Sequence, residues 1–325
     1  MLFLSRTEVA RLMDFTDYVD AVEAGFRAAA IGQALAPPAA AFPVPGGSYH
    51  AKAAALLSGD PPVMAIKLNG NYPGNPAANG LPTVQGVIYL ADATNGRPLA
   101  LMDSIEITIN RTGAATTIAA RRLARRDSRV ATICGAGVQG RIQARAIAAA
   151  AQLDTIHVWD IRPDAAETLA RELTQELKID VRPSADLAVT HRSDIIVTAT
   201  SSKTAFLTPE LVRPGTFIAA VGADNSDKSE IAPALYARSQ AVVDSLEQCA
   251  EIGDLHHALK AKALTPAHIH ATLAELVAGQ KPGRRDDEAI TLFDSSGLGL
   301  QDVAAAAAIY RRALERGAGN RVPLT

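Results

Sequence analysis

The spacing of hydrophobic and polar positions changes once along this chain, near residue 128. Ahead of that point, RTEVARLMDFTDYVDAVEAGFRAAAIG repeats its apolar residues at helical spacing, with Ser5 or Thr7 as the cap and Gly32 as the stop. A Pro- and Gly-rich stretch from Pro37 to Gly47 follows. Four short apolar pieces come next, YHAKAAALL, VMAIKLNG, TVQGVIYLAD and RPLALMDS, parted by turn residues such as Asn95-Gly96. They predict a mainly antiparallel sheet. RTGAATTIAARRLAR then reads as a linking helix. Beyond residue 128, strand-like and helix-like segments alternate. RVATICG and TIHVWD flank RIQARAIAAAAQL; PDAAETLARELTQELK is a second helix; DIIVTAT, TFIAAVG, AVVDS and AITLFD are further strands. Such alternation predicts a parallel sheet with helices on both faces. LQDVAAAAAIYRRALERG closes the pattern as a long helix ending at Gly317.

Composition narrows the picture modestly. A chain of 325 residues has room for two domains, and 48% apolar with 20% charged residues is an ordinary globular balance. A net charge of −2 gives no reason to expect nucleic acid as a partner. The one basic cluster, Arg121, Arg122, Arg125 and Arg126, reads as the solvated face of a helix. Cys134 and Cys249 lie far apart without metal-like spacing, which suits free thiols in a reducing cytoplasm. Arg6 and Glu8 interrupt the start of the chain where a signal peptide would be apolar, and no run approaches the roughly 18 apolar residues of a membrane span. The expectation is a soluble cytoplasmic protein with no membrane partner.

Gly135, Gly137 and Gly140, in TICGAGVQGR, fit G-x-G-x-x-G in its required setting: a β-branched strand before, a helix after, and a second strand ending at Asp160. The first glycine permits the tight turn, the second lets backbone approach a pyrophosphate, and the helix start offers unpaired N–H groups to the anion. Asp160 stands 20 residues past Gly140, where an acidic side chain bonds ribose hydroxyls. Its charge would repel a 2′-phosphate, favouring NAD over NADP; Arg162 softens that preference.

In the first hundred or so residues, polar side chains are embedded in apolar segments. They are His50 and Lys52, then Lys67, Asn69, Asn71, Thr83 and Gln85, then Arg111 and Thr112 in EITINRTGAAT, all grouped with the strands. Buried lysine or arginine is costly unless paired. Lys52, Lys67 and Arg111 together predict a cationic pocket for a small carboxylate, with Arg111 offering a bidentate fork and the lysines point charges. The alternative is that Lys52 and Lys67 emerge on a sheet edge.

KLNGNYPGNPAANGLPTVQGVIYLAD, SIEITINRTGAAT, GAGVQG, VGADNSDKSEI and FDSSGLGLQDVAAA, in this order, resemble the ornithine cyclodeaminase/μ-crystallin family nearly end to end. The resemblance implies an α/β protein: a Rossmann-type doubly wound parallel sheet over residues 116–302, and an α+β substrate and dimerisation domain with antiparallel strands over 1–115 and 303–325. It implies a homodimer using NAD or NADP on a small amino or imino acid. Lys67 and Arg111 resemble the residues that bind the substrate carboxylate, Thr83 lies in the matching strand, and Asp224 resembles the acid/base, with Lys228 close behind. Lys52, beside His50, stands where cyclodeaminases often carry an arginine. Expected cofactor contacts are Thr112, Gly135, Gly137, Val138, Gln139, Gly140, Asp160, Arg162, Thr200, Ser201, Val221, Gly222, Ser296 and Gly297. An aspartate near the nitrogen of a ketimine can stabilise its protonated form, while a carboxylate clamp fixes the carbon that accepts hydride.

Two further stretches invite other chemistry. DLHHAL and AHIHAT put His256, His257, His268 and His270 close together, yet no acidic or cysteine partner completes a zinc set, and helix-surface or capping roles are expected instead of a metal. FDSSGLGLQD lacks G-x-S-x-G, and its Ser and Gly residues are expected to cap the next helix and line the nicotinamide end. Three functions remain: a ketimine reductase or L-amino acid dehydrogenase, which Asn, Thr and Lys near the pocket favour; a cyclodeaminase releasing ammonia; and a μ-crystallin-like binding protein.

Overall fold

The computed structural model describes residues 1–323; the last two positions of the 303–325 span, Leu324 and Thr325, lie outside the described residues. The chain divides into two compact units, Met1–Ala114 with the stretch from Leu298 onward, and Ala115–Gly297. The return to the first unit falls at Leu298, ahead of residue 303, because the C-terminal helix Gly299–Arg316 already belongs there from its first turn.

The first unit begins with β1 (Leu2–Leu4), α1 (Arg6–Leu12) and α2 (Phe15–Ala30). The expected single helix is therefore two. Asp14 accepts from the Asp17 amide while the Asp17 side chain accepts from the Asp14 amide, and this reciprocal cap starts a new helix after extended Met13. Ser5 caps α1 in the same way with Glu8, and Gly32 takes the left-handed φ of +72° just past the end of α2. Strands β2 (Ala34–Leu35), β3 (Ala40–Val44), β4 (Gly47–Leu56) and β5 (Val63–Asn71) follow, then a short helix α3 (Asn75–Asn79), β6 (Val84–Asp92) and β7 (Pro98–Asp103). The sheet runs Asn320–Arg321, β1, β7, β6, β5, β4, β2, with β3 also paired to β4; every pairing is antiparallel except β1 with β7.

Strand β5 sets the first unit's chemistry. Val63, Ala65, Lys67 and Asn69 point to the buried side, while Ile66 and Leu68 are exposed on the other. An ammonium faces inward and two large aliphatic side chains face outward, the reverse of an ordinary half-buried strand. The C-terminal helix packs on the buried face of β4 and β5 and against α2. Its start requires glycine: a Cβ on Gly299 would lie 2.5 Å from the Ala53 carbonyl oxygen of β4.

Helix α4 (Ile105–Leu123) carries the chain into the second unit. The expected solvated arginine face does not extend past it, since Arg125 is largely buried in an ion pair 2.6 Å from Asp194. The second unit alternates β8 (Val130–Cys134), α5 (Val138–Ala148), β9 (Thr155–Trp159), α6 (Pro163–Leu177), β10 (Asp180–Ser184), β11 (Ile195–Thr198) and β12 (Phe217–Ala220). It continues through α7 (Pro233–Arg238), β13 (Gln240–Val243), α8 (Leu246–Ile252), α9 (Asp254–Lys260), β14 (Ala271–Thr272), α10 (Leu273–Val277) and β15 (Thr291–Asp294). All eight strands are parallel in the order β10-β9-β8-β11-β12-β15-β13-β14. Strands β11, β12 and β15 are buried at every residue, as a sheet covered on both faces requires. Strand order reverses between β8 and β11, and in such sheets ligands bind beyond the carboxyl ends of the strands at this switch point.

Candidate functional site

The first unit gathers its predicted cations around one carboxylate. Lys67 on β5 lies directly across the ladder from Lys52 on β4, so both side chains share a sheet face. Lys67 is paired on both sides, which removes the sheet-edge alternative for it, whereas Lys52 falls between the stretches of β4 that β3 and β2 cover. Arg111, grouped with the strands although it opens the predicted linking helix, stands on α4. Lys67 Nζ is 2.9 and 2.8 Å from the two oxygens of Asp302, on the C-terminal helix, and Arg111 Nε donates to the same Asp302 at 3.0 Å. A second Arg111 nitrogen donates to Gln301 Oε1 at 2.5 Å. Lys67, Arg111 and Asp302 are each at most 6% exposed at the side chain. Burial, then the charges of Arg111 and Lys52, push the Lys67 ammonium down to about 7, against the pull of Asp302. For Asp302, burial favours the neutral acid, but Lys67 and Arg111 outweigh it and hold the carboxyl below its ordinary range.

Asp302 is the participant that the sequence did not single out. It sat inside a quoted motif, but its partners are 191 and 235 residues away. Beside the cluster, buried Asn69 accepts from Ser104 Oγ at 2.6 Å, fixing its amide. Thr83, expected in a strand, occupies the bend one residue before β6, where its carbonyl accepts from the Tyr72 amide. The Thr112 hydroxyl donates to the Thr108 carbonyl within α4.

In the second unit the glycine turn closes as its spacing predicts. Gly135 has φ +110°, and a Cβ there would lie 2.5 Å from the Ala199 carbonyl oxygen. A Cβ on Gly140 would fall 1.8 Å from the Gly135 carbonyl oxygen, so the third glycine is needed for helix-to-turn packing. Gly137, at the N-cap of α5, has nothing within 4 Å of its Cβ position. Asp160, just past β9, accepts from the Ala136 amide at 2.7 Å and the Arg162 amide at 2.9 Å, so it braces the turn itself. The Arg162 side chain is 70% exposed. Val138 is exposed, and Gln139 Oε1 is buried without a hydrogen-bond partner among the described residues.

Three more loops leave the same carboxyl edge, held from beneath by buried acids. After β11, the Thr200 amide and hydroxyl both donate to Glu230 Oε1, at 2.6 and 2.7 Å, and Ser201 is exposed. After β12, Val221 is tied to Thr198, and the Gly222 amide donates to the other Glu230 oxygen at 2.9 Å. A Cβ on Gly222 would sit 2.4 Å from that carboxylate. After β15, Ser296 Oγ and the Gly297 amide donate to Asp244 at 2.7 Å each. Ser296 therefore does not cap the following helix, whose N-cap position is Leu298 with no side-chain cap bond. Glu230 is itself backed by Asp254, which accepts from the Glu230 and Ile231 amides. Burial raises both carboxyls above their ordinary range, and for Glu230 the charge of Asp254 adds to it.

Asp224 stands in the loop beyond β12, its side chain 52% exposed and 2.8 Å from Lys228 Nζ. The histidines serve local structure. His257 bonds the Lys228 carbonyl, His256 the Ala250 carbonyl, and His268 closes a cap with Thr265. Among the described residues no three His, Cys, Asp or Glu side chains gather as metal ligands.

A parallel sheet with its strand reversal at a glycine turn, an acid beyond the second strand and a separate unit with a buried cationic cluster define a dinucleotide-binding enzyme. The chain belongs to the ornithine cyclodeaminase/mu-crystallin family, which it matches over residues 1–317. It is 35% identical over 322 residues to alanine dehydrogenase of Archaeoglobus fulgidus, spanning 99% of this chain and 98% of that one. The structure of Thermococcus litoralis Δ1-pyrroline-2-carboxylate reductase in complex with NADH and L-proline superposes with a TM-score of 0.94 at 36% identity, over 99% of this chain and 100% of the other. An archaeal alanine dehydrogenase dimer with bound NAD superposes with a TM-score of 0.95 at 34% identity, over 100% of this chain and 99% of the other.

Proposed function

We propose that this chain is an oxidoreductase acting on C–N bonds, which reduces a small ketimine or imino acid such as Δ1-pyrroline-2-carboxylate to an L-amino acid, or runs the reverse dehydrogenation. The observation that carries this reading is the buried convergence of Lys67 and Arg111 on Asp302, with Lys52 alongside: three cations share one carboxylate, and the excess positive charge suits a substrate carboxylate. The alanine dehydrogenase and pyrroline-2-carboxylate reductase relatives act on substrates of that kind.

The nucleotide is NAD, held by the turn of Gly135, Gly137 and Gly140 and by the Thr200, Gly222 and Gly297 loops; when bound it supplies or accepts the hydride. The Asp160 carboxylate, set against the Ala136 amide, disfavours a 2′-phosphate at the ribose. Asp224 holds the proton of the protonated imine nitrogen, and Lys228 pairs with its carboxylate at 2.8 Å. In the reverse direction Asp224 takes a proton from the amine as hydride leaves. The working form is a homodimer, as in the archaeal relative. Exposed Ile66, Leu68 and Val87 on adjoining strands β5 and β6 give it an apolar face to bury. The two buried free cysteines suit a reducing cytoplasm.

The test follows nicotinamide absorbance with NADH or NADPH and Δ1-pyrroline-2-carboxylate, Δ1-piperideine-2-carboxylate, or pyruvate plus ammonia. NADH oxidation by a cyclic ketimine, or with pyruvate and ammonia, is expected. Ammonia released from ornithine with catalytic NAD⁺, without net cofactor change, would overturn the reductase in favour of a cyclodeaminase. Nucleotide binding with no turnover would leave a binding protein.

A further inference from the structure

The second unit carries a cleft of about 580 Å³ around Arg238, Lys281 and Arg285 that the proposed reaction does not use. Gln240, which opens β13, lines it, so it lies at the amino ends of the strands, the edge of this sheet opposite the nucleotide loops. We propose that this cleft binds the phosphate group of a small phosphorylated metabolite.

Several basic side chains of this unit pair with acids, Arg141 with Glu172, Arg145 with Glu176, Arg182 with Asp180, Arg213 with Asp194 and Lys203 with Asp227, while others such as Arg171 stand singly on the exposed surface. Arg238, Lys281 and Arg285 differ in lining one concavity with no ion-pair partner within 4.0 Å among the described residues; Glu210 feels the charge of Arg238 but lies outside the lining. The one acid in the lining, Asp286, is committed elsewhere: its carboxylate accepts from the Glu288 and Ala289 amides, and its charge attracts Arg284. Cations brought together in a concavity repel one another unless an anion joins them.

The walls also hold one guanidinium in place. His270 Nε2 faces the Pro282 carbonyl at 2.8 Å and must donate to it, which leaves Nδ1 to accept from Arg285 Nη2 at 2.9 Å. The Arg285 amide is tied to Gln240 Oε1, whose own amide donates to the Gly283 carbonyl. The His270 motif thus orients an arginine where the sequence invited a metal, and a guanidinium fork with two further cations matches a phosphate dianion. Ile269 and Ile290 offer apolar wall to the organic part of the ligand.

The test titrates inorganic phosphate into the full-length protein by calorimetry at constant ionic strength, with and without saturating NADH. Saturable binding that NADH leaves unchanged is expected. It should weaken roughly tenfold or more in the Arg285→Gln/Lys281→Gln double variant, and stay unchanged in Arg171→Gln, an exposed arginine of α6. Both variants should keep the wild-type melting temperature without phosphate, because the substituted side chains are exposed. Binding abolished by NADH would place the phosphate at the glycine turn and overturn the proposal. So would equal losses in the double variant and Arg171→Gln, which report net charge, or no saturable binding at all. The outcome does not depend on which ketimine, if any, the enzyme reduces.

Discussion

Lys67 and Asp302 lie 2.8 Å apart, yet deleting one is not equivalent to deleting the other. Lys67→Met leaves Asp302 still paired with Arg111. Asp302→Asn leaves Arg111 buried without its counter-charge and drives Lys67 further towards its neutral form, a loss of about 3–5 kcal/mol for pairs of this kind. Urea unfolding is expected to show Asp302→Asn as clearly the less stable variant; equal losses would mean Arg111 finds another acceptor. Lys67 also has a pH signature. Its folded value is lowered from 10.5 to about 7, so between those values the unfolded chain binds the extra proton. Wild-type stability relative to Lys67→Met should therefore rise as pH climbs from 7 towards 10. The cations of this cluster were legible in the sequence because a lysine or arginine among apolar residues signals a cost needing a partner. Asp302 was not, because no local pattern links a helix near the C-terminus to strand β5.

At the level of elements, the nucleotide-side loops depend on Glu230, which receives the Thr200 and Gly222 amides on its two oxygens. Glu230→Ala severs both ties, while Glu230→Gln keeps one acceptor and turns an amide N–H towards the other donor. Unmet buried donors cost about 1–3 kcal/mol each. NADH affinity should fall in both variants, further in Glu230→Ala, with the shift read by fluorescence titration; unchanged affinity would mean that the loops are held by other bonds. Glu230 and its neighbour Asp254 titrate above the ordinary carboxylate range, so in that window the folded state binds more protons than the unfolded chain. Their contribution to stability is therefore present at acid pH and is lost as pH rises through the raised values, and Glu230→Gln should flatten that decline. The alternating elements of this unit were readable from their spacing. The exceptions have physical causes. Strand β10 is DVRPS, whose Pro183 argues against a strand and is tolerated because β10 lies at the sheet's edge. Strand β14 is two residues long. The break between α1 and α2 rests on Asp14, a cap hidden in a run with continuous helical spacing.

For the whole molecule, the inverted strand β5 gives the proposed dimer a basis in its chemistry. Turning Lys67 to the buried side puts Ile66 and Leu68, at 38% and 41% exposure, on the opposite face, because side chains alternate along a strand. Across the ladder Leu68 meets Val87 and Ile66 meets Tyr89, so the apolar face is continuous over two strands. Burying it against a second copy would offset the cost of exposing aliphatic side chains to water, by roughly 25 cal/mol for each Å² covered. Leu68→Asp places a charge in that face without touching Lys67, Arg111, Asp302 or the glycine turn. Sedimentation velocity should show a dimer for the wild type and a monomer for Leu68→Asp, and the variant should still bind NADH through the second unit. A persistent Leu68→Asp dimer would assign the interface to another surface. A monomeric wild type would mean that this face stays in water, and the inverted strand would then serve the cationic cluster alone.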